Sequence, residues 1–425
     1  MEKYRDQKVR VIYLNLSIVF LFILFLVAFF PLGAYFFTFV AVSVIAISKI
    51  DNQIKKSSLF FLTLFFLLVS IVINEVSIQR FINGNDDFTT YYNNYLSLLN
   101  GNMSDIFYFG GGFEVGLPLI NLFLTKIING PYPYVTQIFF IFLFFLSMCV
   151  LVEKNTIFRN DNKYLLLIWA LLLFKITSML TIERQAVSSF FVLLAIFSFS
   201  NTKKGLFLII GSLFHLSAVV VYFLVNMILR VKTFKSAFGI ILLCLIFLVF
   251  SSVLLQFLYN LFPNEKLGYV VYFINNHEYI INEFVKSTKQ ILYVLPLLIF
   301  AIVFKIKGHN WNLLPSLFLF VSLMLILSIL PGVPTRIFMP IIFFLYGFYY
   351  YDFFCSFNQK NQVLIIIAFS LLFTIYKVII PGYYLRYPMV ETYPFYYVSD
   401  FYQSQGNVQR SELPESIIIN NENKL

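Results

Sequence analysis

Charge is scarce in this sequence. Only 12% of its 425 residues are Asp, Glu, Lys or Arg, against about 25% in an ordinary globular domain, while 60% are hydrophobic and the mean hydropathy is +0.85. No soluble fold hides that much apolar surface. Cysteine is equally sparse: Cys149, Cys244 and Cys355 fall in or beside apolar runs, so neither a disulfide framework nor a zinc site is indicated. No His/Cys cluster occurs, and Asp86 and Asp87 are adjacent rather than spaced to converge on one ion, so no metal is expected. A Gly-rich phosphate loop is also missing, which leaves ATP-driven transport without support and implies no cofactor. The net charge of +10 is dispersed in short clusters between apolar runs, which is a topology signal and not a nucleic-acid footprint.

Long apolar runs are what the chain has in quantity. The first, Val11 to Phe30, follows Lys3, Arg5, Lys8 and Arg10, but it exceeds the apolar length of a signal peptide and reads as a retained helix. Further spans are expected at Ala34 to Ile47, Ser58 to Ile78, Tyr134 to Val152, Tyr164 to Ile182, Gln185 to Ser200, Ala237 to Leu258, Ile291 to Phe304, Leu313 to Leu330, Ile337 to Phe354 and Val363 to Ile380. The pattern predicts an all-α integral membrane protein, a polytopic helical bundle of about 11–13 membrane segments with partial or broken helices and a long external loop.

Two stretches, Val115 to Ile128 and Leu206 to Leu229, are ambiguous. The basic clusters at the N-terminus, Lys49/Lys55/Lys56, Lys154/Arg159/Lys163, Lys203/Lys204, Arg230/Lys232/Lys235 and Lys305/Lys307 can all be cytoplasmic only if both stretches enter and leave on one side. A re-entrant or broken helix satisfies this. The expected organisation is a transmembrane domain over 1–380 with external loops at 79–116 and 259–290, and an external tail over 381–425. The N-terminus is placed inside and the C-terminus outside.

The first external segment interleaves Tyr, Asn, Gly and Asp. Such a surface suits sugars, whose apolar faces stack on rings while their hydroxyls take hydrogen bonds, although tyrosines are also expected at any membrane interface. Tyr91, Tyr92 and Tyr95 are candidate sugar platforms, with Arg80, Asp87 and Glu114 as polar partners.

Glu183 and Arg184 lie between two apolar runs with almost no linker, so the turn is pinned at the outer surface and Arg184 opens an inward helix. A helix N-terminus offers unpaired N–H groups, and an arginine adds a bidentate fork for phosphate. The arrangement recurs at Pro334-Thr335-Arg336, where Thr335 is expected to cap the helix that Arg336 begins. Snorkelling to headgroups is the plainer role for each arginine, and repetition on one face weighs against it. His215 lies near the middle of an apolar stretch, where an ionisable group faces either a cavity or a hydrogen-bonding helix. Lys175, also within a span, reads as structural.

The segment Arg184-Gln-Ala-Val-Ser-Ser-Phe-Phe-Val-Leu-Leu-Ala, then Lys203-Lys204, then Phe214-His215-Leu-Ser217-Ala218, resembles the signature of the EpsG/Wzy-type polysaccharide polymerases. The resemblance implies a membrane glycosyltransferase at the outer face of the bacterial inner membrane. It would transfer a growing glycan from undecaprenyl pyrophosphate onto the next lipid-linked repeat, building O-antigen, capsule or exopolysaccharide. The implied partners are lipid-linked oligosaccharide donor and acceptor, membrane lipids and a chain-length regulator, and no nucleic acid. Arg184 and Arg336 are expected to stabilise the leaving pyrophosphate, His215 to complete the pocket, and Glu183, Asp87 or Glu114 to take the acceptor's proton. Rival readings are a lipid-linked oligosaccharide flippase or transporter, for which no internal repeat is visible, and an envelope glycan ligase or acyltransferase. An acyltransferase is expected to give its histidine an acidic partner, which His215 lacks locally in the sequence.

Overall fold

The computed structural model of the chain describes residues 17–26, 31–48, 52–78 and 87–379, apart from 129, 132, 262–267, 269–270, 273–274 and 331. The described residues are helical throughout, without strands. The helices are α1 (Ser17–Leu26), α2 (Pro31–Ile47), α3 (Asn52–Ile78), α4 (Asp87–Leu99), α5 (Gly116–Ile128), α6 (Pro133–Lys154), α7 (Lys163–Leu172), α8 (Ile176–Thr181), α9 (Glu183–Phe197), α10 (Asn201–Phe214), α11 (Ala218–Arg230), α12 (Phe234–Leu261), α13 (His277–Ile291), α14 (Leu295–Ile306), α15 (Leu314–Ile326), α16 (Val333–Ile337), α17 (Tyr346–Cys355) and α18 (Gln359–Ile379). Among the described residues, α12 alone is long and apolar enough to cross a membrane by itself, and α13 with α14 pass together as a pair bent by 62°. Large apolar side chains of α1 (Ile18, Leu21, Phe25), α12 (Leu242, Phe247, Phe250) and α18 (Leu364, Ile367, Leu371) are exposed. Water does not tolerate an apolar surface of that extent, and lipid does.

Several expected spans are broken. The run Tyr164 to Ile182 divides at 173–175 into α7 and α8, and Leu206 to Leu229 divides at His215 into α10 and α11. The run Ile337 to Phe354 begins as α16, passes through a π-helical turn at Pro340–Leu345 and continues as α17. Pro340 explains that interruption, because its ring collides with the carbonyl four residues back, at Arg336, and it has no N–H to donate. The segments 79–116 and 259–290, expected as loops, contain α4 and α13 among their described residues.

Two clusters mark opposite ends of the bundle. At one, Asp352 of α17 accepts the Arg159 backbone N–H at 2.7 Å and the Trp311 indole N–H at 2.9 Å, while Arg159 donates to the Cys355 carbonyl and His309 meets the Ser356 hydroxyl. Thr156 ties this end to the last residue of α9 through the Phe197 carbonyl. The other end holds the start of α9, about 22 Å away at 1.5 Å per residue.

α10 runs antiparallel to α9, since Gly211 touches Phe191 and Ser188 while His215 meets Gln185. α11 then returns to the Asp352 end, where Phe234 lies under Lys305 at 3.8 Å. α10 and α11 thus enter and leave at the same end, as the basic clusters required. At the centre, Trp169 is fully buried among Phe39, Tyr350, Phe354, Phe369 and Phe373. Gly347 lets α17 cross α7 in backbone contact, because a Cβ there would overlap the Trp169 carbonyl.

Candidate functional site

Glu114 is the hub of the site. It is 4% exposed, although the sequence places it in an external loop. The chain before it turns through Gly110, Gly111 and Gly112, all at positive φ (58°, 66° and 92°), and a Cβ on Gly110 would overlap the Glu114 side chain. Only glycine allows the loop to fold over the acid in this way. Gly116 then begins α5 against the Phe214 ring, where a Cβ would lie 2.8 Å from the ring.

The Glu114 carboxylate uses both oxygens. Oε2 forms an ion pair with Arg184 Nη1, and Oε1 accepts the Leu216 backbone N–H at 2.9 Å and lies 3.7 Å from His215 Nδ1. The Arg184 guanidinium also stacks over Phe109 at 4.2 Å and faces Tyr91 at 5.4 Å, and its Nε–H is buried without a hydrogen-bond partner. A guanidinium so held is fixed in plane, which a lysine could not reproduce. Arg184 therefore pairs across 70 residues with Glu114 and not with its neighbour Glu183, which is buried at the first position of α9.

His215 occupies the break between α10 and α11 in extended backbone (φ −155°, ψ 122°). Its Nδ1 receives the Ser217 backbone N–H at 3.2 Å and lies 2.9 Å from the Ser217 hydroxyl, while Nε2 is 2.7 Å from the Gln185 amide. Because Nδ1 accepts from Ser217, the ring proton belongs on Nε2. The Gln185 oxygen, otherwise without a partner, is then the amide atom that receives it. The acidic partner that the local sequence withholds from His215 comes from Glu114.

Arg336 stands at the same end, on α16, which packs against α11, the helix that follows His215. It is exposed and has no carboxylate partner among the described residues. Thr335 does not cap α16. The N-cap is Gly332 in left-handed conformation (φ 68°), and the Thr335 hydroxyl donates to the Gly332 carbonyl instead.

The tyrosines expected as sugar platforms are buried. Tyr92 and Tyr95 stack on each other, Tyr95 donates to the Gly130 carbonyl, and Tyr91 lies beneath Arg184. Their spacing on α4 places them on its inner face, a consequence of this stretch being helical. Burial pushes the Tyr91 phenol well above its ordinary range, with the Arg184 charge opposing, so it stays protonated at neutral pH. The exposed rings beside Glu114 are Phe107, Tyr108 and Phe113. Asp87 is exposed at the start of α4, and Arg80 lies outside the described residues. Lys175 sits apart, donating to Gln290 and facing the Tyr293 ring at 3.8 Å and the Tyr346 ring at 5.0 Å. Sequence reasoning quoted Gln185 and Ser217 within the signature without giving either a role, and it missed Phe109; the glycine run before Glu114 was the signal that this loop is built around a particular side chain.

Arg184, Gln185, His215, Ser217 and Glu114 thus form one polar cluster, and all lie within residues 76–390, which match the model of the EpsG family. The chain belongs to the EpsG family. EpsG proteins are Wzy-type polysaccharide polymerases, and the family together with the apolar helices supports an integral membrane protein. No curated protein and no solved structure matches the chain.

Proposed function

We propose that this EpsG protein is a membrane glycosyltransferase that polymerises lipid-pyrophosphate-linked oligosaccharide repeats at the outer face of the bacterial inner membrane. The observation that carries this reading is the unequal state of the two arginines at one end of the bundle. Arg184 is neutralised and fixed by Glu114, whereas Arg336, at the same end, is exposed and without a carboxylate partner among the described residues. A fixed cation and an open one suit a pyrophosphate, whose charge grows as its bond to the sugar breaks.

In the transfer, the acceptor hydroxyl oxygen bonds to the anomeric carbon of the donor, and the bond from that carbon to pyrophosphate oxygen breaks. Undecaprenyl pyrophosphate leaves with the electron pair. The hydroxyl proton passes to His215 Nδ1, which the Nε2 tautomer leaves unprotonated, once the acceptor takes the place of both the Ser217 hydroxyl and the Ser217 backbone N–H at that nitrogen. Glu114 has both oxygens engaged, by Arg184 and by the Leu216 N–H, which suits it to holding the site in place. This assigns Arg184 and Glu114 to positioning, Arg336 to the leaving group and His215 to proton transfer. The basic Asp352 end faces the cytoplasm by the positive-inside rule, so the Glu114 end and the tail over 381–425 lie outside.

The test is a glycan profile from cells lacking the gene, complemented at matched expression with wild type, Arg184→Ala, Arg184→Lys, Arg336→Ala or His215→Ala. Single repeats in the null strain and a ladder restored by wild type alone support the reading. Lipid-linked repeats accumulating on the cytoplasmic side, or normal ladders in the null strain, would replace it with a transporter or another activity.

A further inference from the structure

The face of α13 that packs on the bundle carries Glu283, Ser287 and Ile291, at helical spacing, while Ile281, Phe284 and Val285 remain exposed. A carboxylate is out of place on such a face unless something there needs it. Glu283 is 7% exposed, and its Oε2 accepts the Gly332 backbone N–H at 3.0 Å, 49 residues along the chain. Its Oε1 accepts from Lys286 Nζ at 2.6 Å, which leaves Oε2 to Gly332. Gly332 is the left-handed N-cap of α16, and its carbonyl accepts both the Thr335 hydroxyl and the Arg336 backbone N–H at 3.3 Å. The turn that carries Arg336 is therefore tied by a side chain from another helix, in addition to its packing on α11 and α15.

We infer that Glu283 is a positioning residue for Arg336, acting through the Gly332 turn. α16 is only five residues long and is separated from α17 by the Pro340 interruption, so it has little helical stability of its own. Without the Glu283 contact the Gly332 N–H loses its acceptor, and the direction in which Arg336 projects is no longer fixed. The inference rests on the proposed role of Arg336 for its effect on activity, but the positioning itself can be read separately.

Two measurements distinguish them, both on full-length protein at matched membrane abundance. In the first, Arg336→Cys is introduced in a background without Cys149, Cys244 and Cys355, and labelling by a charged maleimide is followed in membranes opened to both faces. Adding Glu283→Ala should change the labelling rate at least threefold, and Glu283→Gln, which keeps an acceptor oxygen, should not. An unchanged rate in Glu283→Ala overturns the inference.

In the second, polymerisation of lipid-linked repeats is measured for Glu283→Ala and Glu283→Gln, alone and with Arg336→Ala. Glu283→Ala should lose at least tenfold, Glu283→Gln should stay within threefold of wild type, and Glu283→Ala should add no loss in the Arg336→Ala background. Additive losses overturn action through Arg336. Wild-type activity in Arg336→Ala alone removes Arg336 from the proposed function, while the labelling result still decides whether Glu283 positions the turn.

Discussion

Glu114 and Arg184 form an ion pair in which the acid is the more enclosed partner, with 5% of its side chain exposed against 21% for the arginine. Removing one member of an enclosed pair strands the other, at a cost of about 3–5 kcal/mol, whereas removing both does not. Glu114→Gln keeps an acceptor for the Leu216 N–H but leaves Arg184 without its counter-charge. Polymer synthesis should fall at least tenfold in Glu114→Gln and Arg184→Ala, and the double variant Glu114→Ala/Arg184→Ala should accumulate better than either single alanine. Immunoblots of membrane fractions beside glycan ladders give both readings.

The glycine run offers a sharper contrast. Gly110 and Gly111 both adopt left-handed backbone, yet only at Gly110 would a Cβ meet Glu114, and at Gly111 nothing lies within 4 Å. Gly111→Ala should carry only the backbone penalty, about 1–2 kcal/mol, and keep most of its activity. Gly110→Ala should displace Glu114 and abolish the ladder at normal protein abundance. Equal phenotypes would mean that the loop responds to strain and not to contact with Glu114.

The helices were largely legible in the sequence, because apolar runs of this length permit little else in a bilayer. Their interruptions were not all legible: Pro340 announces one, but nothing in Leu173-Phe174-Lys175 does, and that break follows from tertiary packing. Arg184, Arg336 and His215 stood out because charge in an apolar context is costly. Glu114 was named only as one of several polar groups of the first external segment and not as the hub, since a carboxylate in a polar segment becomes buried only when distant helices close over it. The tyrosines of α4 misled for the complementary reason, a segment read as a loop being a helix with an inner face.

At the far end, Asp352 accepts from both Arg159 and Trp311, so Asp352→Ala leaves the buried Trp311 N–H unmet, at about 1–3 kcal/mol, and also removes the acceptor of the Arg159 N–H. The cluster is separated from Glu114 by the length of α9. Protein abundance and thermal stability in detergent should therefore drop, while transfer per folded molecule stays at the wild-type value. A change in transfer rate per folded molecule would show that this cluster reaches the chemistry.

The Lys175 amine lies against an amide and two aromatic rings, with no carboxylate partner among the described residues. If its role is packing, an apolar side chain of similar length should replace it, as replacing enclosed charges often proves neutral or stabilising. Lys175→Met should keep polymer synthesis within threefold and match or exceed wild-type melting in detergent. Loss of synthesis with unchanged melting would assign the ammonium group a part in the reaction.

The π-helical turn at Pro340–Leu345 holds one residue more than an α-helical path would need. Each residue of an α-helix turns the chain by about 100°, so that surplus residue sets the angular phase between Arg336 and everything below Tyr346. The apolar contacts of α17 with α7 fix one side of this joint, and Gly332 fixes the other. The chain between them works as a phase adjuster: its length sets where the turn that Glu283 holds stands relative to α17.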